Sequence, residues 1–188
     1  MTDDPVEIRA SRPADRSAIH DVHMAAFGPS EAPRIIRLVD EALGGHGPEP
    51  VLSLVAVRQG RIVGHVLFTP AAVETTGKPV TSSILAPLAV HPAFQRQGIG
   101  GGLVASGFEA LRDSDVELVF VLGDPAYYSR FGFEPARHLG LMAPHPLPPE
   151  YADAWMVRAL HPGLPGSVAG RVRCEPALAH PELWSEQP

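Results

Sequence analysis

The sequence predicts an α/β fold, more narrowly of the α+β kind, in which helices flank a central sheet. Three observations predict it: a strand and two helices at the N-terminus, an antiparallel meander after them, and a glycine-rich turn joining a strand to a helix. The 188 residues are enough for one domain with a sizeable core. No apolar run reaches the roughly 18 residues of a membrane span, so we expect a soluble globular protein.

The N-terminal part is predicted to form one strand and two helices. Val6 and Ile8 alternate with charged residues, which is typical of a short strand. Ser11-Arg12-Pro13 starts the first helix, Gly28-Pro29 ends it, and Ser30 is a good N-cap for the second. We therefore expect a break between the two helices at the glycine.

Three strands are predicted next. Residues 52–57 and 62–68 are rich in β-forming side chains and flank a short loop that contains Gly60, which favours a β-hairpin. We expect Thr69-Pro70 to end the second of these strands. After a variable stretch through residues 77–79, an apolar run at 84–90 predicts a buried third strand.

A glycine-rich stretch, residues 95–101, follows that strand directly. It precedes apolar residues at helical spacing: Leu103, Val104, Phe108 and Leu111. Backbone amides at the start of a helix lack intrahelical partners, and the helix dipole adds partial positive charge there. Because Gly98 and Gly100 carry no Cβ, an anion can approach this backbone closely. The stretch is thus either a phosphate-binding turn or a plain helix-capping turn.

The spacing of the glycines argues against two common phosphate motifs. A P-loop needs Lys and then Ser or Thr after its second glycine, where this chain has Gly101-Gly102. A dinucleotide fingerprint needs Gly-x-Gly-x-x-Gly early in a βαβ unit, and the residues after Gly100 do not fit that spacing. What remains is the pattern Gln-x-x-Gly-x-Gly, which begins at Gln95.

A short helix is predicted after a further buried strand at residues 116–122. Asp124 is suited to cap this helix and Pro125 to its first position. Gly132 is placed to end the helix after about two turns.

The C-terminal part is predicted to complete the sheet. Apolar runs at 139–142 and 155–160 predict further strands, and residues 168–174 predict an edge strand. Of the two tryptophans, we place Trp155 in the core and Trp184 in a tail.

Two segments resemble motifs of the GNAT family of N-acetyltransferases. The strand at 87–92 running into 95–101 is similar to the family's pyrophosphate-binding motif, Arg/Gln-x-x-Gly-x-Gly/Ala. Residues 123–133 resemble the Gly-Asp-Pro-x-Tyr-Tyr-x-Arg-Phe-Gly-Phe element of a bacterial subgroup. The resemblance implies the GNAT fold, with a mixed, mostly antiparallel sheet. It implies a GNAT domain at residues 1–165, with 166–188 as an edge strand and tail of the same domain.

The resemblance also implies acetyl-CoA as the co-substrate and no metal. Amides of residues 97–101 would hold the pyrophosphate, Arg96 would supply surface charge, and residues 88–90 would line the pantetheine arm on a strand that splays from its neighbour. The implied cofactor-binding positions are Leu88, Ala89, Val90, Gln95, Arg96, Gln97, Gly98, Ile99, Gly100, Gly101 and Tyr127.

The reaction implied is direct acetyl transfer to a primary amine. Tyr128, four residues before Gly132, occupies the family's proton-donor position. A phenol with a pKa near ~10 is protonated at neutral pH and can protonate the leaving thiolate. The alternative is a helix-face aromatic with its hydroxyl in water. For Tyr127, the preceding aromatic, we favour a packing role.

No residue is identified as the general base. The strand at residues 81–90 carries no acid. Glu31 could reach the acceptor side, but an ordinary acid near a helix start explains it more simply. His65 is interpreted as a core or edge residue rather than a pocket base. We therefore assume a relay of waters.

Composition narrows the partners and the location. A net charge of −6 without a basic block argues against nucleic acid and mildly favours a cationic substrate, although it also serves solubility. We expect a small-molecule or peptide amine acceptor, no membrane partner, and a monomer or homodimer. A single cysteine, Cys174, and an acidic N-terminus without a signal-peptide core favour the cytoplasm. His20 and His23 lack a third metal ligand, so we assign them to a solvated or half-buried helix face.

The sequence does not exclude two other functions. The chain could be a non-catalytic acyl-CoA sensor that keeps the coenzyme site but has lost its chemistry. It could also transfer a longer acyl group, or transfer to oxygen rather than nitrogen.

Overall fold

A mixed, mostly antiparallel sheet forms the centre of the structure, a computed structural model that describes residues 5–45, 51–75, 80–162 and 168–185. The strands are β1 (Glu7–Ala10), β2 (Leu52–Arg58), β3 (Arg61–Glu74), β4 (Val80–Val90), β5 (Leu118–Leu122), β6 (Glu134–Pro135), β7 (Leu141–Met142), β8 (Trp155–Ala159) and β9 (Gly170–Cys174). The helices are α1 (Arg16–Gly44), α2 (Ile99–Asp113), α3 (Pro125–Tyr128) and α4 (Glu182–Ser185). The predicted variable stretch at 77–79 lies outside the described residues.

The described strands join in the order β1-β2-β3-β4-β5-β8-β6, and β9 pairs with both β3 and β7. The β4–β5 and β7–β9 pairs are parallel. The remaining pairs among the described strands are antiparallel. The predicted fold class, a mixed and mostly antiparallel sheet flanked by helices, is therefore confirmed.

The two faces of the sheet are covered by different helices. On one face, Ile19 and Val39 of α1 pack against Leu67 of β3. On the other face, Leu103 of α2 packs with Val66 and its neighbours. Because successive side chains of a strand point to opposite faces, adjacent residues of β3 serve the two cores.

Helix α1 contains the break that the sequence predicts at Gly28. The helix runs from Arg16 to Gly44, but Gly28 has φ 73° and ψ 176°, which are not helical values. A 3₁₀ turn at Pro13–Asp15 leads into the helix. The two predicted helices are thus two arms of one kinked segment.

Strand β3 does not end at Thr69-Pro70, so that prediction was wrong. The last pair between β2 and β3 is Leu52 with Phe68, and pairing with β9 starts at Ala71 with Cys174. Pro70 falls in the gap between these two neighbours, where its missing N–H breaks no ladder bond on that side. The predicted last strand is β9, which lies between β3 and β7.

Trp184 belongs to the core and not to a tail, which corrects the sequence-based prediction. Its side chain is only 3% exposed, and its Nε1 donates to the carbonyl oxygen of Leu178 at 2.8 Å. Its ring lies edge-on to Trp155, with centroids 5.6 Å apart. Apolar residues of the C-terminal segment thus cover part of the α1 side of the sheet.

Within the described residues, no helix is both long enough and apolar enough to span a membrane.

Candidate active site

Strands β4 and β5 separate from each other past Leu85. Their pairing runs from Ser82 with Leu118 to Leu85 with Val121, yet β4 continues to Val90. On its other side β4 stays paired with β3, across a bulge opposite residues 66–68. The edge of β4 at residues 86–90 therefore faces a cleft instead of a strand. This is the splayed strand that the resemblance implied.

A cavity of about 1100 Å³ occupies the cleft. The end of β4, the turn before α2, and residues 122–131 line one half of it. The other half is lined by α1 from Phe27 onward and by the C-terminal segment. The cleft thus has one arm beside the glycine turn and a second arm on the α1 side.

The glycine turn presents free backbone amides to the cavity. Gly98 is the N-cap of α2, with φ 81°, and its carbonyl accepts the N–H of Gly102 at 2.9 Å. The N–H groups of residues 99–101 therefore precede the first intrahelical bond, and none bonds another backbone group in the described structure. The side chain of Gln95 donates to the Val90 carbonyl at 3.0 Å, which ties the turn to the end of β4.

The structure brings most of the predicted cofactor-binding positions into this cavity. Those that line it are Leu88, Val90, Gln95, Arg96, Gly98, Ile99, Gly100, Gly101 and Tyr127. Ala89 and Gln97 do not line it. Ala89 is buried and pairs with His65 on β3, while the Gln97 side chain accepts a hydrogen bond from Arg58 at 2.6 Å.

Helix α3 positions the two tyrosines. Asp124 accepts a hydrogen bond from the Ala126 N–H at 2.8 Å and Pro125 is the first helical residue, so the predicted cap is confirmed. After one further 3₁₀ turn the chain ends its helical course at Gly132, which has φ 80°. These turns place Tyr127 and Tyr128 on the wall of the cavity.

Tyr128 lies against Gly123 at the end of β5. A Cβ built on Gly123 would overlap Cε2 of the Tyr128 ring. The ring also lies edge-on to Phe133, with centroids 5.7 Å apart. Burial raises the pKa of the phenol, with smaller contributions from Tyr127 and Asp124. The hydroxyl therefore stays protonated at neutral pH beside the cavity.

Tyr127 reaches the first turn of α2. A Cβ built on Gly100 would lie 2.5 Å from the Tyr127 hydroxyl oxygen. The guanidinium carbon of Arg130 lies 3.9 Å from the centre of the Tyr127 ring. Tyr127 therefore approaches the predicted phosphate-binding turn with its hydroxyl and packs against Phe131 with its ring.

The α1 arm of the cavity has mostly apolar walls. Phe27 and Ile35 come from α1, and Leu183 comes from the C-terminal segment. Glu31 is exposed there and forms no hydrogen bond or ion pair within the described part of the chain. Sequence reasoning missed the contribution of the C-terminal segment, for which the signal was the apolar pair Leu183-Trp184 in an otherwise polar end.

His65 belongs to a buried polar network and not to the cavity. Its Nδ1 lies 2.8 Å from Nε2 of His23, and its Nε2 lies 3.0 Å from Oγ of Ser53. Ser11 donates to Ser53 at 2.6 Å and completes the chain of contacts. The core interpretation of His65 is confirmed.

The helix-face interpretation of His23 was wrong, because its side chain is fully buried. His23 lies four residues after Ile19 and four before Phe27, and this helical spacing on an apolar face was the available signal. His20, in contrast, remains part-exposed and lies 2.8 Å from a carboxylate oxygen of Asp40.

Most of the chain matches one known protein family. A family model described as an acetyltransferase (GNAT) domain matches residues 7–136. The chain belongs to the GNAT acetyltransferase family. This GNAT protein is 41% identical, over 162 residues, to the uncharacterized N-acetyltransferase YjhQ of Escherichia coli K12. The match covers 86% of this chain and 87% of that protein.

Solved structures resemble this GNAT protein over nearly its whole length. The Escherichia coli GNAT N-acetyltransferase YhbS, in complex with CoA, superposes with a TM-score of 0.82 at 31% identity, covering 96% of this chain and 95% of that one. A GNAT acetyltransferase from Brucella melitensis, in complex with acetyl-CoA, has a TM-score of 0.70 at 30% identity, covering 92% and 97%. This GNAT protein is therefore an acetyltransferase by family.

Proposed function

We propose that this protein transfers an acetyl group from acetyl-CoA directly to a primary amine, with Tyr128 as the proton donor. The observation that carries the proposal is that one cavity contains both the free amides of the glycine turn and the protonated phenol. The relatives solved with CoA and with acetyl-CoA support acetyl-CoA as the co-substrate.

The proposed coenzyme position follows the cleft. The amides of residues 97–101 hold the diphosphate, because residues 98–101 line the cavity and the amides of 99–101 are free at the positive end of a 15-residue helix. Backbone groups of residues 88–90 bind the pantetheine amides along the unpaired edge of β4. The thioester then lies in the gap between β4 and β5, beside Tyr128.

The proposed chemistry is one displacement through a tetrahedral intermediate. The neutral amine attacks the thioester carbonyl, and amide donors of β4 stabilise the oxyanion. As the C–S bond breaks, the Tyr128 hydroxyl gives its proton to the sulfur, and solvent restores it. The ammonium proton leaves through water, because the described part of β4 carries no acid.

The test compares the parent with Tyr128→Phe, measuring thiol release from acetyl-CoA with a panel of primary amines. We expect kcat to fall about 10²-fold or more while CoA affinity is unchanged. Tyr151→Phe is the matched control, because this tyrosine lies on a separate 3₁₀ turn outside the cavity.

Each other outcome points to a specific alternative. Equal rates for the parent and Tyr128→Phe would remove the donor role. Tight CoA binding without turnover on any amine would favour the acyl-CoA sensor. Faster transfer from propionyl- or succinyl-CoA would favour a longer acyl group.

The acceptor is proposed to be a small-molecule or peptide amine that enters through the α1 arm. Among the described residues, the arm holds one carboxylate, Glu31, and one guanidinium, Arg34, so the support for a cationic acceptor is the chain's net charge of −6. We further propose a cytoplasmic protein that acts as a monomer or homodimer.

A further inference from the structure

The wall of the α1 arm changes in character from an exposed rim to a buried floor. Glu31, Ile35 and Leu38 are spaced four and three residues apart on one face of α1, and all three line the cavity. Along this face their side chains change from exposed through half-buried to buried. The C-terminal segment adds Leu178 and Trp184 to the floor, each only 3% exposed. The arm thus begins at a carboxylate and ends among apolar side chains.

The charged side chains of the cavity do not match a ligand with several positive charges. Among the described residues, the lining includes two carboxylates and three guanidiniums, those of Glu31, Asp124, Arg34, Arg96 and Arg130. The carboxylate of Asp124 already caps α3 by accepting the Ala126 N–H. An acceptor with two or more ammonium groups would therefore have to bury one of them against the apolar floor, which is costly without a paired charge.

We infer that the acceptor is a primary monoamine whose nitrogen carries one large apolar group, either an aromatic ring or an alkyl chain of several carbons. This inference rests on the proposed function, because it takes the α1 arm as the place where the acceptor binds. The apolar group lies on the floor of that arm, and the nitrogen lies beside the thioester carbonyl in the gap between β4 and β5.

The same apolar walls favour the form of the amine that reacts. Loss of water disfavours the charged form of an amine, so the pKa of the ammonium group falls in apolar surroundings. The part of β4 that lines the cavity, which includes Ile84 and Leu85, offers no carboxylate to accept the proton. Desolvation of a monoamine therefore supplies part of the deprotonation that no side chain of β4 can supply.

The experiment measures kcat/KM for acetyl transfer by the full chain to butylamine, hexylamine, phenethylamine and hexamethylenediamine. Each additional buried methylene contributes about 4-fold, so hexylamine should exceed butylamine by about 10-fold or more, and phenethylamine should also exceed butylamine. Hexamethylenediamine has the carbon chain of hexylamine and a second ammonium group. We expect its kcat/KM to be about 10-fold or more below that of hexylamine, because the second charge would lie on the apolar floor.

Two adjacent isoleucines of α1 provide matched variants. Ile35 and Ile36 are both half-buried, but of these two described residues only Ile35 lines the cavity. Ile35→Glu adds a carboxylate to the arm, so it should shift the preference toward hexamethylenediamine by about 10-fold. Ile36→Glu should leave the preference within twofold of the parent. Calorimetric titration with CoA verifies that each variant keeps its coenzyme site. Ile35→Thr is a milder change that should reduce the advantage of hexylamine over butylamine.

Binding measured without turnover separates this inference from the proposed reaction. Calorimetric titration of the CoA-saturated protein should show hexylamine bound more tightly than hexamethylenediamine. That order of binding without acetylation of any amine contradicts the proposed reaction alone. Acetylation of hexamethylenediamine by the parent as efficiently as hexylamine overturns the inference and leaves the reaction intact. The inference is also overturned if hexylamine does not bind, or if Ile35→Glu and Ile36→Glu change the preference equally.

Discussion

His23 and His65 contact each other inside the core, with Nε2 of the first 2.8 Å from Nδ1 of the second. The rings are nearly perpendicular, with centroids 5.0 Å apart. Burial lowers the pKa of His23 to about 4 and that of His65 to about 3. Both imidazoles are therefore neutral at pH 7, so one can donate and the other accept.

The histidine pair makes the stability of the protein depend on pH. Both pKa values are below the ordinary value of ~6.5, which the histidines have in the unfolded state. The unfolded state therefore binds more protons than the folded state when the pH falls below ~6.5. The stabilisation is thus complete above pH ~6.5 and is lost as the pH falls toward the folded-state values. At pH 5.5 we expect a loss of about 1 to 1.5 kcal/mol per histidine.

Urea unfolding between pH 7.5 and 5.5 measures this loss. His65→Gln should lower stability at pH 7.5 and should also reduce the dependence on pH, because one titrating group is gone. His161→Gln, outside the network, should reproduce the parent's dependence. A parent whose stability is flat across this range would contradict the neutral buried pair.

The pH profile of acetyl transfer should show no basic limb from Tyr128. Burial raises the pKa of this phenol, so it remains a proton donor throughout the range in which amine substrates lose their proton. We expect kcat to rise as the amine loses its proton and to show no decline up to about pH 9.5. Initial rates measured with one amine across pH 6.5–9.5 test this expectation. A decline centred near pH 8 to 9 would argue that another group donates the proton.

Gly100→Ala should weaken CoA binding through Tyr127. Its methyl group would lie 2.5 Å from the Tyr127 hydroxyl oxygen, so the ring and the turn cannot both keep their positions. We expect an increase in Kd of about 10-fold or more, as for the loss of one charged hydrogen bond. Titration of the parent, Gly100→Ala, Tyr127→Phe and the double variant measures the coupling.

The double variant provides the internal control for that experiment. Removing the hydroxyl relieves the overlap, so the double variant should bind CoA more tightly than the sum of the two single losses predicts. Strictly additive losses would mean that Tyr127 and the first turn of α2 do not contact each other in solution.

Trp184→Ala should destabilise the protein by about 3–5 kcal/mol, the usual cost of removing a buried large aromatic. The side chain is 3% exposed and contacts Trp155, and its Nε1 donates to Leu178. Denaturant unfolding measures the loss. Trp184→Phe should cost less, because it keeps an aromatic ring near Trp155 and loses the hydrogen bond and part of the buried volume. Unchanged stability in Trp184→Ala would restore the view of this segment as a tail.

The sequence was most informative where the signal is local. The break at Gly28, the cap at Asp124 and the glycine turn at 98–101 each depend on a few adjacent residues, and the structure has all three where they were predicted. The lining of the arm beside the glycine turn was predictable for the same reason, since its parts are two short contiguous segments.

Contacts between distant parts of the chain explain what was missed. Strand β3 continues past Pro70 because β9, about 100 residues later, pairs with it beyond the last residue paired with β2. Pro70 itself lies between these two neighbours. Burial of His23 depends on His65, 42 residues away. The cavity wall at Leu183 and Trp184 likewise depends on packing against α1 and β8, which are distant in the sequence. The periodicity of one segment does not identify such distant partners.

The matched family model ends at residue 136, whereas the wall of the α1 arm at 178–184 lies beyond it. The residues that we propose for the coenzyme all lie inside the matched range, whereas the surface that we propose for the acceptor is formed partly by residues beyond it. Substitutions at 178–184 should therefore change which amine is acetylated more than they change the affinity for the coenzyme.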